Sequence, residues 1–196
     1  MPNTINVIST PRNSGEIVQI FSFSDTIPGL SFIYNTVSGK LSPLGINRPD
    51  IDERQMSYKN FVRIKARDGL EIPTYVTLPR NSNGKNLPLI VMVHGGPYVR
   101  GGFWNWNPEV QLLASRGYAV IEPDFRGSEG YGKKLYQSGW KQWGLKMQDD
   151  LDDVRQWAIN QGYADPNRVC MAGASYGGYA TLMGLIRNPD LYRCGI

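Results

Sequence analysis

Three features of the sequence predict an α/β fold built on a mostly parallel sheet with helices on both faces. Three short runs, LIVMV at 89–93, YAVI at 118–121 and RVCMAG at 168–173, have the length and apolar continuity of strands covered on both sides. A segment of helical length follows each run, which is the alternation that a parallel sheet with crossover connections requires. Each run also ends in a glycine-rich turn: HGGP at 94–97, DFRGSEGYG at 124–132 and GASYGG at 173–178. Functional loops of an open parallel sheet gather at the carboxyl ends of its strands, so these turns share one edge.

Taken in order, residues 1–56 read as β-rich. The runs at 16–23 and 31–36 carry β-branched and aromatic residues, and Ser38-Gly39 turns the chain toward 41–44 as a hairpin. Asn47-Arg48-Pro49-Asp50 breaks the pattern. So few strands do not make an independent domain, and they are expected to pack on the residues downstream or to belong to something larger. Residues 57–196 form the second unit. Within it, 61–65 and 72–78 alternate as strands joined through Arg67-Asp68-Gly69, a turn signal. Residues 108–116 form a helix with Pro108 in its first turn and Gly117 as its stop. Met147, Leu151, Val154 and Ala158 line one face of a second helix that Gly162 closes. Asp149, Asp150, Asp152 and Asp153 fall in its first turns and are expected to be solvated there, complementing the dipole. The last helix ends at Asn188-Pro189. Trp104, Trp106, Trp140, Trp143 and Trp157 are expected as packing residues.

Bulk properties narrow the function classes. The 196 residues suffice for one domain with an appendage, and 41% hydrophobic with 19% charged residues suit a globular core. The net charge is +4 and the pI near 9.1, but Lys133-Lys134 is the only adjacent basic pair, so no nucleic-acid partner is expected. The apolar run at 87–93 contains Pro88 and is too short to cross a bilayer, so no membrane segment is expected. MPNTINVIST has no signal-peptide character, which leaves the cytoplasm as the default compartment. The two cysteines make neither a disulfide framework nor a metal-ligand pattern, and Cys170 is expected as a small buried core residue. With one histidine, His94, no His-rich metal site is possible, and no metal or cofactor is expected.

The chemistry centres on Ser175. A strand, a glycine-flanked serine and a helix in that order turn G-x-S-x-G into a nucleophile elbow, the hallmark of the α/β-hydrolase fold. The serine occupies strained backbone, and Gly173 and Gly177 lack the Cβ atoms that would collide there. The helix N-terminus behind it offers unpaired N–H groups to an oxyanion. The expected donors are the N–H groups of Gly96 and Tyr176, each such donor contributing about 2.7–4 kcal/mol to a transition state. His94 is not expected to be the general base, because hydrolase triads of this fold run serine, acid, histidine along the chain. A neutral ring packed in its turn is the expected role. The 124–132 loop lacks the order of a phosphate loop and is expected to help shape a substrate pocket.

Arg67-Asp68-Gly69 with its following strand, HGGP, DFRGSEGYG and GASYGG together resemble the catalytic domain of the prolyl oligopeptidase family, in its acylaminoacyl-peptidase and dipeptidyl-peptidase-like branch. The resemblance covers about residues 58–196 and implies Ser175 as nucleophile with Gly96 and Tyr176 as oxyanion donors. It also implies that residues 1–56 end a β-propeller. Some relatives place a tyrosine donor where His94 stands. The family's acid and base lie well downstream of the serine, so the chain is expected to be a fragment, with its triad completed beyond residue 196. The implied function is a serine peptidase of short peptides working through an acyl-enzyme. A carboxylesterase of the same fold and a non-catalytic remnant are the alternatives.

Overall fold

The computed structural model describes residues 1–11 and 15–196 and divides their strands between two sheets. The first is a four-stranded antiparallel meander of β1 (Ile5–Ser9), β2 (Ile17–Phe23), β3 (Leu30–Asn35) and β4 (Leu41–Ile46) in chain order. A short 3-10 turn at Glu53–Gln55 leads to the second unit, where Asp52 caps the Arg54 N–H. There follow β5 (Lys59–Lys65), β6 (Glu71–Thr77), β7 (Leu87–Val93), α1 (Pro108–Ser115), β8 (Ala119–Pro123), α2 (Lys133–Ser138), α3 (Lys146–Asn160), β9 (Ala164–Gly173), α4 (Tyr176–Arg187) and β10 (Cys194–Gly195).

The second sheet has the order β10-β9-β7-β8-β6-β5. Its pairs are parallel from β10 through β8 and antiparallel at β8–β6 and β6–β5. This is the α/β-hydrolase fold. From β7 the chain steps to β8 on one side and then crosses back to β9 on the other. Right-handed crossovers therefore place α1 on one face and α3 with α4 on the opposite face. The contacts agree: α3 and α4 touch each other and both lie on β9, while α1 lies on β8.

The principal core sits under α3 and α4. Leu89, Val91 and Val93 of β7, Ile121 of β8, and Val169 and Met171 of β9 meet Met147, Leu151, Val154 and Ala158 of α3 there. Each large side chain so buried stabilises the fold by about 1.5–3 kcal/mol. The intervening residues Ile90 and Val120 are also buried, as are Val110 and Ala114 of α1. That double coverage is why the strands read as unbroken apolar runs. Asn107 caps α1 by accepting from the Glu109 and Val110 N–H groups, and Gly117 leaves it at φ +89°.

Gln111 of α1 staples the two units. Its Oε1 accepts from Ser57 N–H at 2.9 Å, and its Nε2 donates to Ser57 O at 2.8 Å and Asp25 O at 3.1 Å. Asp25 Oδ2 in turn accepts from Lys59 N–H at 2.8 Å.

Two expectations are corrected. Cys170 and Cys194 form a disulfide, because the parallel register sets them directly opposite each other on β9 and β10. A separation of 24 residues gave no sign of that pairing. The aspartates of α3 are also not uniformly solvated. Asp150 and Asp152 are buried, and each is bound by side chains from elsewhere in the chain. Asp149 and Asp153 remain partly exposed and pair with Arg187 and Arg67.

Candidate active site

β9 ends at Gly173, α4 begins at Tyr176, and Ser175 makes the corner at φ 58° and ψ −121°. A side chain there costs about 1–3 kcal/mol and persists only where the surroundings enforce it. The enforcement comes from β7. A Cβ on Gly173 would stand 2.5 Å from Val93 O, and one on Gly177 would overlap that same oxygen. The corner closes through Gly177 N–H to Ala174 O at 2.9 Å and Tyr179 N–H to Ser175 O at 3.1 Å. Ser175 is left exposed at the sheet edge.

The 94–97 turn lies against this corner. A Cβ on Gly95 would sit 3.5 Å from Ser175 Cβ and 4.0 Å from Ser175 Oγ. Gly96 follows at φ +119° and is joined to Pro97 by a cis peptide. Among the described residues, neither the Gly96 N–H nor the Tyr176 N–H donates to any acceptor. The Tyr176 ring is buried against Phe125 and Trp143, so it is the backbone of this residue that meets the site. Trp140 and Trp143 are half exposed, and each packs on an aromatic neighbour, Tyr136 and Tyr176. A cavity of about 230 Å³ opens beside Gly95 and Ala174, walled by Gly102, Glu109 and Glu122.

The His94 ring is engaged by its own turn and by the loop after β8. Its Nδ1 lies 2.7 Å from Gly95 O and its Nε2 2.9 Å from Ser128 Oγ. Phe125 stacks on the ring at 4.4 Å and 11°. Burial lowers the imidazole pKa below its ordinary value, opposed by the Gly95 hydrogen bond and by Asp124, 3.6 Å from Nε2. The ring is packed between its own turn and the loop after β8.

In the 124–132 loop, Asp124, Phe125, Arg126 and Ser128 are buried, whereas Glu129, Gly130 and Gly132 are exposed. Asp124 accepts from Gly101 N–H at 2.7 Å, Gly102 N–H at 3.1 Å and Tyr131 OH at 2.8 Å. Arg126 binds Asp150 of α3 and reaches Asp68 in the β5–β6 turn at 2.9 Å. Arg126 holds the Asp68 carboxyl well below the usual carboxylate range. The Arg-Asp-Gly and Arg-Gly-Ser motifs are thus two ends of one ionic brace, a link that no spacing in the sequence reveals.

Comparison with known proteins decides the family. The prolyl oligopeptidase family model matches residues 104–196. The chain belongs to the prolyl oligopeptidase family. Dipeptidyl aminopeptidase BIII of Pseudoxanthomonas mexicana is 40% identical over 178 residues, which are 86% of this chain and 25% of that protein. Dipeptidyl peptidase family member 6 of Caenorhabditis elegans is 29% identical over 214 residues, 98% of this chain and 29% of the relative. Among solved structures, a Mycobacterium tuberculosis puromycin-hydrolyzing peptidase superposes with a TM-score of 0.84 at 25% identity, over 100% of this chain and 31% of that one. An acylaminoacyl peptidase of Pyrococcus horikoshii gives 0.75 at 27% identity, over 93% and 29%. The chain therefore spans between a quarter and a third of the length of these prolyl oligopeptidase relatives. Among the described residues, no cluster of side chains is arranged to hold a metal, and no helix is long and apolar enough to cross a membrane.

Proposed function

We propose that Ser175 is the nucleophile of a serine peptidase that hydrolyses short peptides through an acyl-enzyme, with Gly96 and Tyr176 as its oxyanion donors. The observation that carries this reading is the strained, exposed serine beside two N–H groups without acceptors. Attack of Ser175 Oγ on a peptide carbonyl puts negative charge on the carbonyl oxygen. Two N–H groups that donate to no acceptor among the described residues, and the positive end of the twelve-residue α4, would stabilise that charge. The acyl-serine forms as the amine leaves, and water then releases the second product.

The proton of Ser175 needs an acceptor, and His94 is committed to Gly95 and Ser128. We assign the acid and base to residues outside 1–196, and residues 1–56 to the end of a propeller that limits substrates to short peptides. The names of the peptidase relatives support the substrate class. In the full-length protein, Ser175→Ala is expected to abolish cleavage of a chromogenic dipeptide amide and labelling by a fluorophosphonate. Retention of both would remove Ser175 from the mechanism. Cleavage of an ester with no activity on the matching amide would favour an esterase. Residues 1–196 alone are expected to show no turnover.

A further inference from the structure

Arg100 stands exposed on the loop that follows the oxyanion turn, and it makes no ion pair among the described residues. That loop leaves Gly96 and comes straight back. A Cβ on Gly101 would overlap the His94 ring, and Asp124 holds the Gly101 and Gly102 N–H groups at 2.7 and 3.1 Å. Arg100 is thus anchored beside the turn that lies against Ser175. Its side chain is fixed as well. Nε donates to Gly102 O at 3.0 Å, and Cζ lies 5.0 Å from the centre of the Phe103 ring and 5.2 Å from that of Tyr131. Tyr131 is itself held, by its hydroxyl on Asp124 at 2.8 Å and by Phe61 stacked at 6.3 Å. Gly130 leaves room for the arginine, since a Cβ there would come 3.2 Å from Arg100 Cδ and 3.7 Å from Nη1. Both Nη groups of Arg126 end on carboxylates, whereas those of Arg100 donate to no acceptor among the described residues.

We propose that Arg100 is a specificity-determining residue, its Nη1 and Nη2 taking the C-terminal carboxylate of the peptide that leaves when Ser175 is acylated. The role rests on the serine-peptidase reading above and names its substrate class: peptides that end, with a free carboxylate, two or three residues past the cleaved bond. A linear peptide has one such carboxylate, and it departs with the amine product. An extended chain advances about 3.3–3.6 Å per residue, so two or three residues carry that carboxylate about 7–11 Å from the cleaved bond. A planar guanidinium offers a carboxylate two parallel N–H bonds and stays charged at every working pH. An ion pair on open surface is worth little, but the Phe103 and Tyr131 rings shield this one from water on their side. The side chain is also ordered before the ligand arrives, so less entropy is lost on binding. A longer leaving peptide carries its carboxylate past Arg100, and the same residue thereby sets an upper length on the favoured substrate.

The test reads a ratio within each protein. The full-length enzyme is given one peptide with two residues after the cleaved bond, as the free acid and as the C-terminal amide. The parent is expected to favour the acid about ten- to a hundredfold in kcat/KM, chiefly through KM, since the contact is made in the ground state too. Arg100→Met is expected to abolish the preference, and Arg100→Lys to keep part of it as a point charge. Loss of folded enzyme lowers both substrates alike and cancels in the ratio. The product dipeptide is expected to inhibit the parent at least about tenfold more tightly as the acid than as the amide, a reading that needs no variant. A parent without preference, or a preference that survives intact in Arg100→Met, overturns the proposal. An amidated peptide with aspartate in the second leaving position, cleaved as fast as the free acid, overturns the C-terminal assignment in favour of a side-chain carboxylate. Full cleavage by Ser175→Ala overturns the serine-peptidase reading instead.

Discussion

Arg126 and Asp150 are joined by three hydrogen bonds inside the protein. Arg126 N and Nε each donate to Asp150 Oδ2 at 2.9 Å, and Nη2 donates to Oδ1 at 2.7 Å. The pair ties the loop after β8 to the start of α3, and so sets the ground on which Phe125 and Ser128 hold His94. Removing one member of a buried pair strands the other's charge and costs about 3–5 kcal/mol. Asp150→Ala leaves Arg126 with Asp68 as its remaining partner, and is expected to destabilise the protein by about 3 kcal/mol, the lower end of that range, in urea unfolding. Removing both charges in Arg126→Met/Asp150→Leu is expected to cost less than the single change. A double variant as unstable as the sum of the singles would show that the two groups act independently.

The elbow makes a prediction about glycine. A Cβ at residue 177 overlaps the Val93 carbonyl, whereas one at residue 178 meets only Gly173 O, at 3.3 Å. Gly177→Ala is expected to destabilise by at least about 1–3 kcal/mol, and the displaced Ser175 to lose roughly a hundredfold in kcat/KM. Gly178→Ala lies inside α4 and is expected to be near neutral in stability. Thermal melts and peptide hydrolysis of the two variants check the contrast.

The disulfide closes a loop between strands paired side by side. For a separation of 24 residues, the loss of chain entropy in the unfolded state stabilises the fold by about 3 kcal/mol. Reduction is expected to lower Tm by about 6–12 °C in a protein of this size. Thiol titration of the unfolded, unreduced protein should find none, and two reactive thiols there would refute the bond.

The sequence made the repeating strand–helix frame legible because each element buries its own stripe of side chains. Leu89 to Val93 is apolar throughout because both faces of β7 are covered, and Met147, Leu151, Val154 and Ala158 recur at helical spacing because α3 buries one face. The glycines around Ser175 were legible for the same reason, since the steric demand is local. What stayed hidden depends on partners distant in the chain. β1 is exposed along its whole length and β10 has two residues, so neither carries a pattern of its own. Asp150 reads as a surface carboxylate until Arg126 is set beside it, and Cys170 as a core residue until β10 brings Cys194. His94 showed its place in the turn but not the direction of its ring.

That ring carries a prediction of its own for pH. Burial lowers the pKa of His94 in the folded protein, while the unfolded chain takes up its proton near the ordinary value of about 6.5. Between the two values the unfolded state binds more protons, so stability falls as pH drops through that window and is complete above it. Asp124, 3.6 Å from Nε2, moderates the fall by favouring the imidazolium. Urea unfolding at pH 7.5, 6.5, 5.5 and 4.5 is expected to show a shallower decline in His94→Asn than in the parent protein. The remaining carboxylates titrate in both, so the difference between the two curves isolates the imidazole. Parallel curves would mean that His94 takes up its proton as readily in the folded protein as in the unfolded one, and a steeper decline in the variant would reverse the sign of the burial effect.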